Sequence, residues 1–260
     1  MIHERRRLIP TMIAVIIGVA FVASTLMLMD SIKAATLRTQ AAAVGDATAV
    51  VTAKEPSKPI SPTTTDKIAT VPGVISVEQT RNVLLQRTDN GQAALVNGHL
   101  IPTHPHLVKG RAPATLDEVA VNQSTADNNA AIGSKITVND PSRDGAKSIT
   151  LTVVGVLDPN SRTTTTPTSP EVYLSAASLA SISGHRGANT VYVNSDRPAA
   201  QIVREVSKVV GTTATVRTAD DERAHQADQA SQGFAAMTAF MTAFTVIALA
   251  CLLYTSDAAD

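Results

Sequence analysis

The sequence predicts an α+β fold: a body with βαβ pieces at both ends and a strand-rich insert at about 98–168, held between two apolar helices. Three observations carry this expectation. Two charge-free stretches, Leu8–Met29 and Gly233–Tyr254, bracket the chain. Between them run short β-branched segments with period-two alternation, each bounded by Gly, Pro, Asn or Asp. One segment, Pro198–Val210, has helical rather than strand periodicity and lies between two such strands.

The first stretch, LIPTMIAVIIGVAFVASTLMLM, follows directly on Arg5, Arg6 and Arg7. At about 1.5 Å per residue it reaches roughly 30 Å, the thickness of a hydrocarbon core. A buried Arg at mid-membrane costs on the order of 2.5–3.5 kcal/mol, and this run has none to bury. We read 8–29 as a transmembrane helix. A cleaved signal peptide is the competing reading, with Ala34 and Ala35 as the small residues near a cut, but cleaved apolar regions run only about 7–15 residues. The arginines place residues 1–7 in the cytoplasm, so the chain leaves the membrane on the outer side near Asp30.

The second stretch is again long enough to span, giving a second transmembrane helix over 233–251 and an extracytoplasmic body over 30–232. The tail LLYTSDAAD, 252–260, resembles translated sequencing-adapter read-through, so we expect it to be non-native and the second span to be truncated. With 260 residues and a formal net charge of zero, the chain shows no electrostatic footprint for nucleic acid. An aromatic content of 3% without Trp argues equally against base-stacking platforms. One cysteine, Cys251, excludes an internal disulfide framework, so the body must hold by core packing.

After the first span, DSIKAATLRTQAAA continues as a stalk helix. Ala47–Ala53 reads as a buried strand, KEPSKPISP as loop, and Thr63, Thr64 or Thr65 as the cap of a short helix stopped by Pro72-Gly73. Val74–Gln79 and Asn82–Arg87 are strands, and Asp89-Asn90-Gly91 turns a hairpin into Gln92–Asn97. Leu107–Arg111 is extended, Glu118–Val121 a strand, and Gln123–Ala131 a weak helix ended by Gly133. Lys135–Val138 and Ile149–Val156 alternate as strands around NDPSRDG; SRTTTTPTSP is loop. Glu171–Leu174 is a strand and Ser175–Ser183 a helix with Leu179 and Ile182 inward. Thr190–Asn194 and Ala214–Arg217 are strands on either side of Pro198–Val210, whose stripe is Ile202, Val206 and Val209/Val210 and which Gly211 ends.

Five pieces then stand in order: VPGVISVE, LVKGRAPATLDEVAVNQSTA, IGSKITV, LTVVGVL and VYLSAASLA. Together, between two spans, they are similar to the extracytoplasmic core domain of MacB/FtsX-type ABC transporter permeases, with their "GR.P…DEV.V" element followed by a "VVG" strand. The likeness covers about Val71–Leu179 by motif and the whole chain by topology. It implies a permease subunit in the bacterial plasma membrane, not itself an enzyme, paired with a second permease copy or half and with a separate cytoplasmic ATPase. It further implies that movement of the outer body exports or extracts an amphiphilic substrate whose identity the residues do not give. The alternative is a two-span sensor with an extracytoplasmic ligand-binding domain; a secreted-face hydrolase lacks any convergent catalytic set.

No residue set carries a catalytic, cofactor or metal assignment. Asp117 and Glu118 are adjacent on a strand start, where side chains point to opposite faces, so a solvated turn is expected rather than an acid–base pair. His99, His104 and His106 are interrupted by Pro102 and Pro105 and read as exposed loop histidines rather than metal ligands. Ser24, Ser31 and Ser175 sit in no nucleophile elbow, and no GxxxxGK[ST] loop is present, so ATP hydrolysis is expected elsewhere. Asn122-Gln123-Ser124 fits a glycosylation sequon. Gly73 and Gly110 are expected to supply a positive φ or a tight backbone approach. Ala14 and Gly18, and Ala235, Ala239 and Ala243, form small-residue ridges of the kind that lets membrane helices approach closely.

Overall fold

The structure is a computed structural model. It describes residues 16, 20, 23–25, 27–35, 37–38, 41–55, 57–89, 92–143, 145, 147–158 and 169–257, the side chains at 89, at 92 and over most of 233–257 excepted. Residues 42–222 form one compact unit, the body; residues 1–41 and 223–260 form a second.

The body begins with a four-stranded antiparallel sheet, the platform, in the order β11-β1-β10-β2. Its strands are β1 (Ala49–Ala53), β2 (Val74–Thr80), β10 (Thr190–Ser195) and β11 (Ala214–Thr218). Between β1 and β2 lies helix α1 (Pro62–Ala69), and between β10 and β11 lies α4 (Ala199–Val210). This is a split βαβ sandwich whose central hairpin has been opened to take an insert. Helix α1 starts where Ser61 accepts the Thr64 N–H at 3.2 Å and Pro62 fixes the first φ. Helix α4 turns Ile202, Val206 and Val210 onto Val51, Val191 and Val193 of the sheet. The stripe predicted for this helix is thus the buried one.

The insert is larger than the 98–168 expected. Its sheet runs from β3 (Asn82–Asp89) to β9 (Glu171–Leu174) and also takes in β4 (Gln92–Leu100), β5 (Leu107–Gly110), β6 (Glu118–Asn122), β7 (Lys135–Asn139) and β8 (Ile149–Leu157). Strand order is β5-β8-β6-β9-β4-β3-β7, and β7 also pairs with β8, closing the sheet into a small barrel. Closure removes the open edges that a flat sheet would expose. The hairpin β3–β4 belongs here because β3 pairs with β7 and β4 with β9. Alternation alone could not assign it, since a period-two strand suits either sheet. Leu85, Val96, Val119, Val121, Ile136, Val138, Leu151, Val153, Val172 and Leu174 fill the barrel. Helix α3 (Ala176–Ser183) plugs it with Leu179 and Ile182, capped by Ser175 at 3.1 Å to the Ser178 N–H and ended by Gly184 at φ +75.

Helix α2 (Gln123–Asp127) is shorter than expected, because Asn128 leaves helical geometry and Asn129 takes φ +60. Asn122 caps it and is buried: its Oδ1 accepts from the Thr125 N–H at 3.0 Å, while its Nδ2 donates to the Ser169 carbonyl at 2.7 Å. The amide nitrogen of the sequon is therefore committed inside the body.

In the other unit, the described residues between 23 and 38 are helical, and α5 (Ala219–Asp257) runs from the body into it. Among the described residues no helix is long and apolar enough to cross a membrane. Most of 8–29, including Ala14 and Gly18, lies outside the described residues, as do the turn residues Asn90 and Gly91 and the loop 161–168. Ala235, Ala239 and Ala243 are exposed on α5.

Candidate functional site

The body receives the chain and releases it at one place. Residues 41–44 end in a helical turn, Gly45 takes φ +52, and the chain enters β1 at Ala49. It leaves from β11, whose Thr218 is the register partner of Ala49. Val44, Ala47, Val50 and Ala219 are buried together against the ring of Tyr192, on the platform face opposite α1 and α4. Hydrogen bonds stitch the same point: Ala219 N–H donates to the Thr48 carbonyl at 3.2 Å and Thr48 N–H to the Val193 carbonyl at 2.8 Å. The Thr48 hydroxyl oxygen also accepts the Ser195 N–H at 3.0 Å.

Helix α5 starts here with a well-formed cap. Thr218 Oγ1 accepts the Asp221 N–H at 3.1 Å, and Asp220, Asp221 and Glu222 occupy the positive end of the helix dipole. Arg217 Nη1 donates to Glu222 Oε2 at 2.9 Å, tying the first turn back to β11. The incoming and outgoing connections are therefore bonded to each other and to neighbouring strands of one sheet. Sequence reasoning expected a stalk at 30–43 but missed this seam; the RTADDE cap was its available signal.

The expected sequence motif is a clasp rather than a reaction centre. Gly110 has φ +77, and a Cβ there would overlap the Val154 carbonyl oxygen. Next to it Arg111 donates to both oxygens of Glu118, at 2.8 and 2.5 Å, while the Ala114 N–H donates to Oε2 at 2.8 Å. These bonds, the Arg111 pair foremost, lower the Glu118 pKa to about 2. Asp117 faces away: its Oδ1 accepts from Thr115 Oγ1 at 2.6 Å and its carbonyl accepts the Thr152 N–H at 2.7 Å. The two carboxylates do not converge.

Of the three histidines, His104 and His106 are exposed as expected, but His99 is not. It lies on β4, only 1% exposed, because the hairpin belongs to the barrel. Its ring stacks on Tyr173 at 5.3 Å, its Nδ1 lies 2.9 Å from Asn82 Oδ1, and its Nε2 is 3.8 Å from Glu171 Oε1. Tyr173 donates to the other Glu171 oxygen at 2.5 Å. Burial pushes the His99 pKa down, with Glu171 opposing, so the ring is held toward its neutral form. Among the described residues no group of three or more His, Cys, Asp or Glu side chains is placed to hold a metal ion.

A split βαβ platform carrying an inserted closed barrel, with its two chain connections stitched side by side, is a structural module rather than a reaction centre. The sequence profile of the MacB-like periplasmic core domain matches residues 9–234, and the chain belongs to that family. Its body is accordingly the extracytoplasmic core domain of a MacB/FtsX-type ABC transporter permease. The extracellular domain of the noncanonic ABC-type transporter YknZ from Gram-positive bacteria is similar at 11% identity, covering 65% of this chain and 99% of that one with a TM-score of 0.50. The periplasmic region of MacB from Actinobacillus actinomycetemcomitans is 13% identical, over 69% of this chain and 92% of that one, with a TM-score of 0.49. A search of the curated proteins finds no significant match.

Proposed function

We propose that this chain anchors its body outside the plasma membrane through helices at 8–29 and 233–251, with the N-terminus in the cytoplasm. A cytoplasmic ATPase subunit supplies the energy, and a second permease copy or half completes the assembly. Nucleotide-driven motion of the two helices is passed to the body, which moves an amphiphilic substrate. The observation that supports this reading is the seam of Val44, Ala47, Val50 and Ala219, which joins the incoming and outgoing connections to neighbouring strands of one sheet.

The topology is tested by placing a cysteine at exposed Thr115 in a Cys251→Ser background and treating intact cells with an impermeant maleimide. Labelling without lysis is expected; labelling only after lysis overturns the orientation. Coupling is tested in nanodiscs with the ATPase subunit that co-purifies with the chain. Val44→Asp, which puts a charge into the seam, is expected to lower transport at least tenfold while leaving ATP hydrolysis within twofold. Unchanged transport in a folded Val44→Asp chain would remove the seam from the mechanism.

A further inference from the structure

The platform and the barrel are joined by two crossovers, and the first is one residue long. Strand β2 ends at Thr80, β3 begins at Asn82, and Arg81 alone stands between the two sheets. The second crossover, Gly184–Asn189, returns from α3 to β10. Backbone bonds seat this second crossover on the platform side: Ile60 and Ala188 exchange bonds at 2.8 and 2.9 Å, and Asn189 N–H donates to the Thr80 carbonyl at 2.9 Å. Gly187, at φ +125, permits the close pass over the Ile60 carbonyl.

The Arg81 side chain turns back onto the second crossover. Nη1 donates to the His185 carbonyl and Nη2 to Ser183 Oγ at 2.8 Å, with the residue only 6% exposed. Its carbonyl accepts the Leu100 N–H at 2.9 Å, fixing the same residue to β4 of the barrel. From the barrel's β7–β8 loop, Arg143 Nη1 donates to the Ile182 carbonyl at 2.8 Å. Two guanidinium groups thus meet the C-terminal end of α3, where the helix dipole favours positive charge. Burial lowers the Arg81 pKa and the carboxylate of Asp140 opposes that shift. A buried guanidinium with a carbonyl and a hydroxyl as acceptors has few orientations open to it, because each lost bond leaves a desolvated donor.

We propose that Arg81 is a bolt: its side chain locks the second crossover to the first, so that platform and barrel hold one angle and turn as a single body. Without it, the barrel is held to the platform by two short crossovers and their backbone bonds, which leave the angle between the two sheets less tightly set. The inference concerns the body alone and does not depend on the permease reading.

The test is pulsed electron spin resonance on the full chain in a Cys251→Ser background. One label pair, Lys67→Cys on α1 and Lys135→Cys on β7, spans platform and barrel; a control pair, Thr88→Cys and Leu116→Cys, lies within the barrel. Arg81→Met is expected to broaden the spanning distance distribution at least twofold and leave the control width unchanged. Arg81→Lys, which keeps the charge but not the fork, falls between. An unchanged spanning width in Arg81→Met overturns the proposal, and so does equal broadening of both pairs, which marks general loosening. Should Arg81→Met fail to fold, Ser183→Ala, which removes the acceptor of Arg81 Nη2, decides: a wider spanning distribution with the control width unchanged supports the bolt, and a parental spanning width overturns it.

Discussion

Glu118 shows how a residue that invites a catalytic reading can instead be a structural fastener. Its pKa in the fold, about 2, lies below the unfolded value of 4.5, so the folded state binds fewer protons in between. The stability it contributes is complete above about pH 4.5 and is lost as pH falls toward 2. Glu118→Gln should flatten the fall of melting temperature across that window; an unchanged slope would remove the clasp from the acid response. His99 works in the same direction at higher pH. Its pKa is lowered by burial, so stability is complete above the unfolded value of 6.5 and declines as acidification charges the ring. His99→Gln is expected to lose the part of this decline that sets in below pH 6.5, read as melting temperature against pH. Little of this was legible in sequence. The motif contains both Arg111 and Glu118 but not the pairing between them, and His99 looked like its two exposed neighbours because burial comes from strand pairing to distant β9.

At the scale of elements, local signals did most of the work. The Ser175 cap, the Gly184 stop and the Ile202–Val206 stripe are all decided by neighbours within four residues, and helices α3 and α4 lie within a residue of where periodicity puts them. Ser175→Ala removes the hydroxyl that accepts the Ser178 N–H and should cost about 1 kcal/mol, measured by denaturant unfolding. The exceptions are also local in cause. Helix α1 uses Ser61 as its cap rather than any of the following threonines, since Pro62 already supplies the first helical φ. Helix α2 stops early because Asn129 adopts a left-handed conformation, four residues before the glycine expected to end it.

For the whole molecule, pattern reasoning gave the βαβ ends and the strand-rich middle but neither the closure nor the extent of the barrel. Those depend on pairings such as β7 with β8 and β6 with β9, which have no signature within a strand. Two separate cores follow from the architecture, one between platform and helices and one inside the barrel. Ile202→Ala leaves a cavity in the first and should cost about 2–5 kcal/mol there. Hydrogen exchange should accelerate at least ~30-fold in β1, β10 and β11, with the barrel strands less affected. Equal acceleration throughout would mean that the two cores unfold as one.

The split in the platform also imposes an order of assembly. Strand β2 lies against β10 with Thr80 opposite Thr190, partners 110 positions apart along the chain. Closing a flexible loop of that length costs about 4 kcal/mol in chain entropy, which a four-stranded sheet gains nothing to offset until the ends meet. A barrel that has already formed shortens the gap to Arg81 on one side and six residues, Gly184–Asn189, on the other. A nascent chain emerging from the ribosome would then complete its inserted part first and leave β1 and β2 waiting, unpaired, for strands synthesised last.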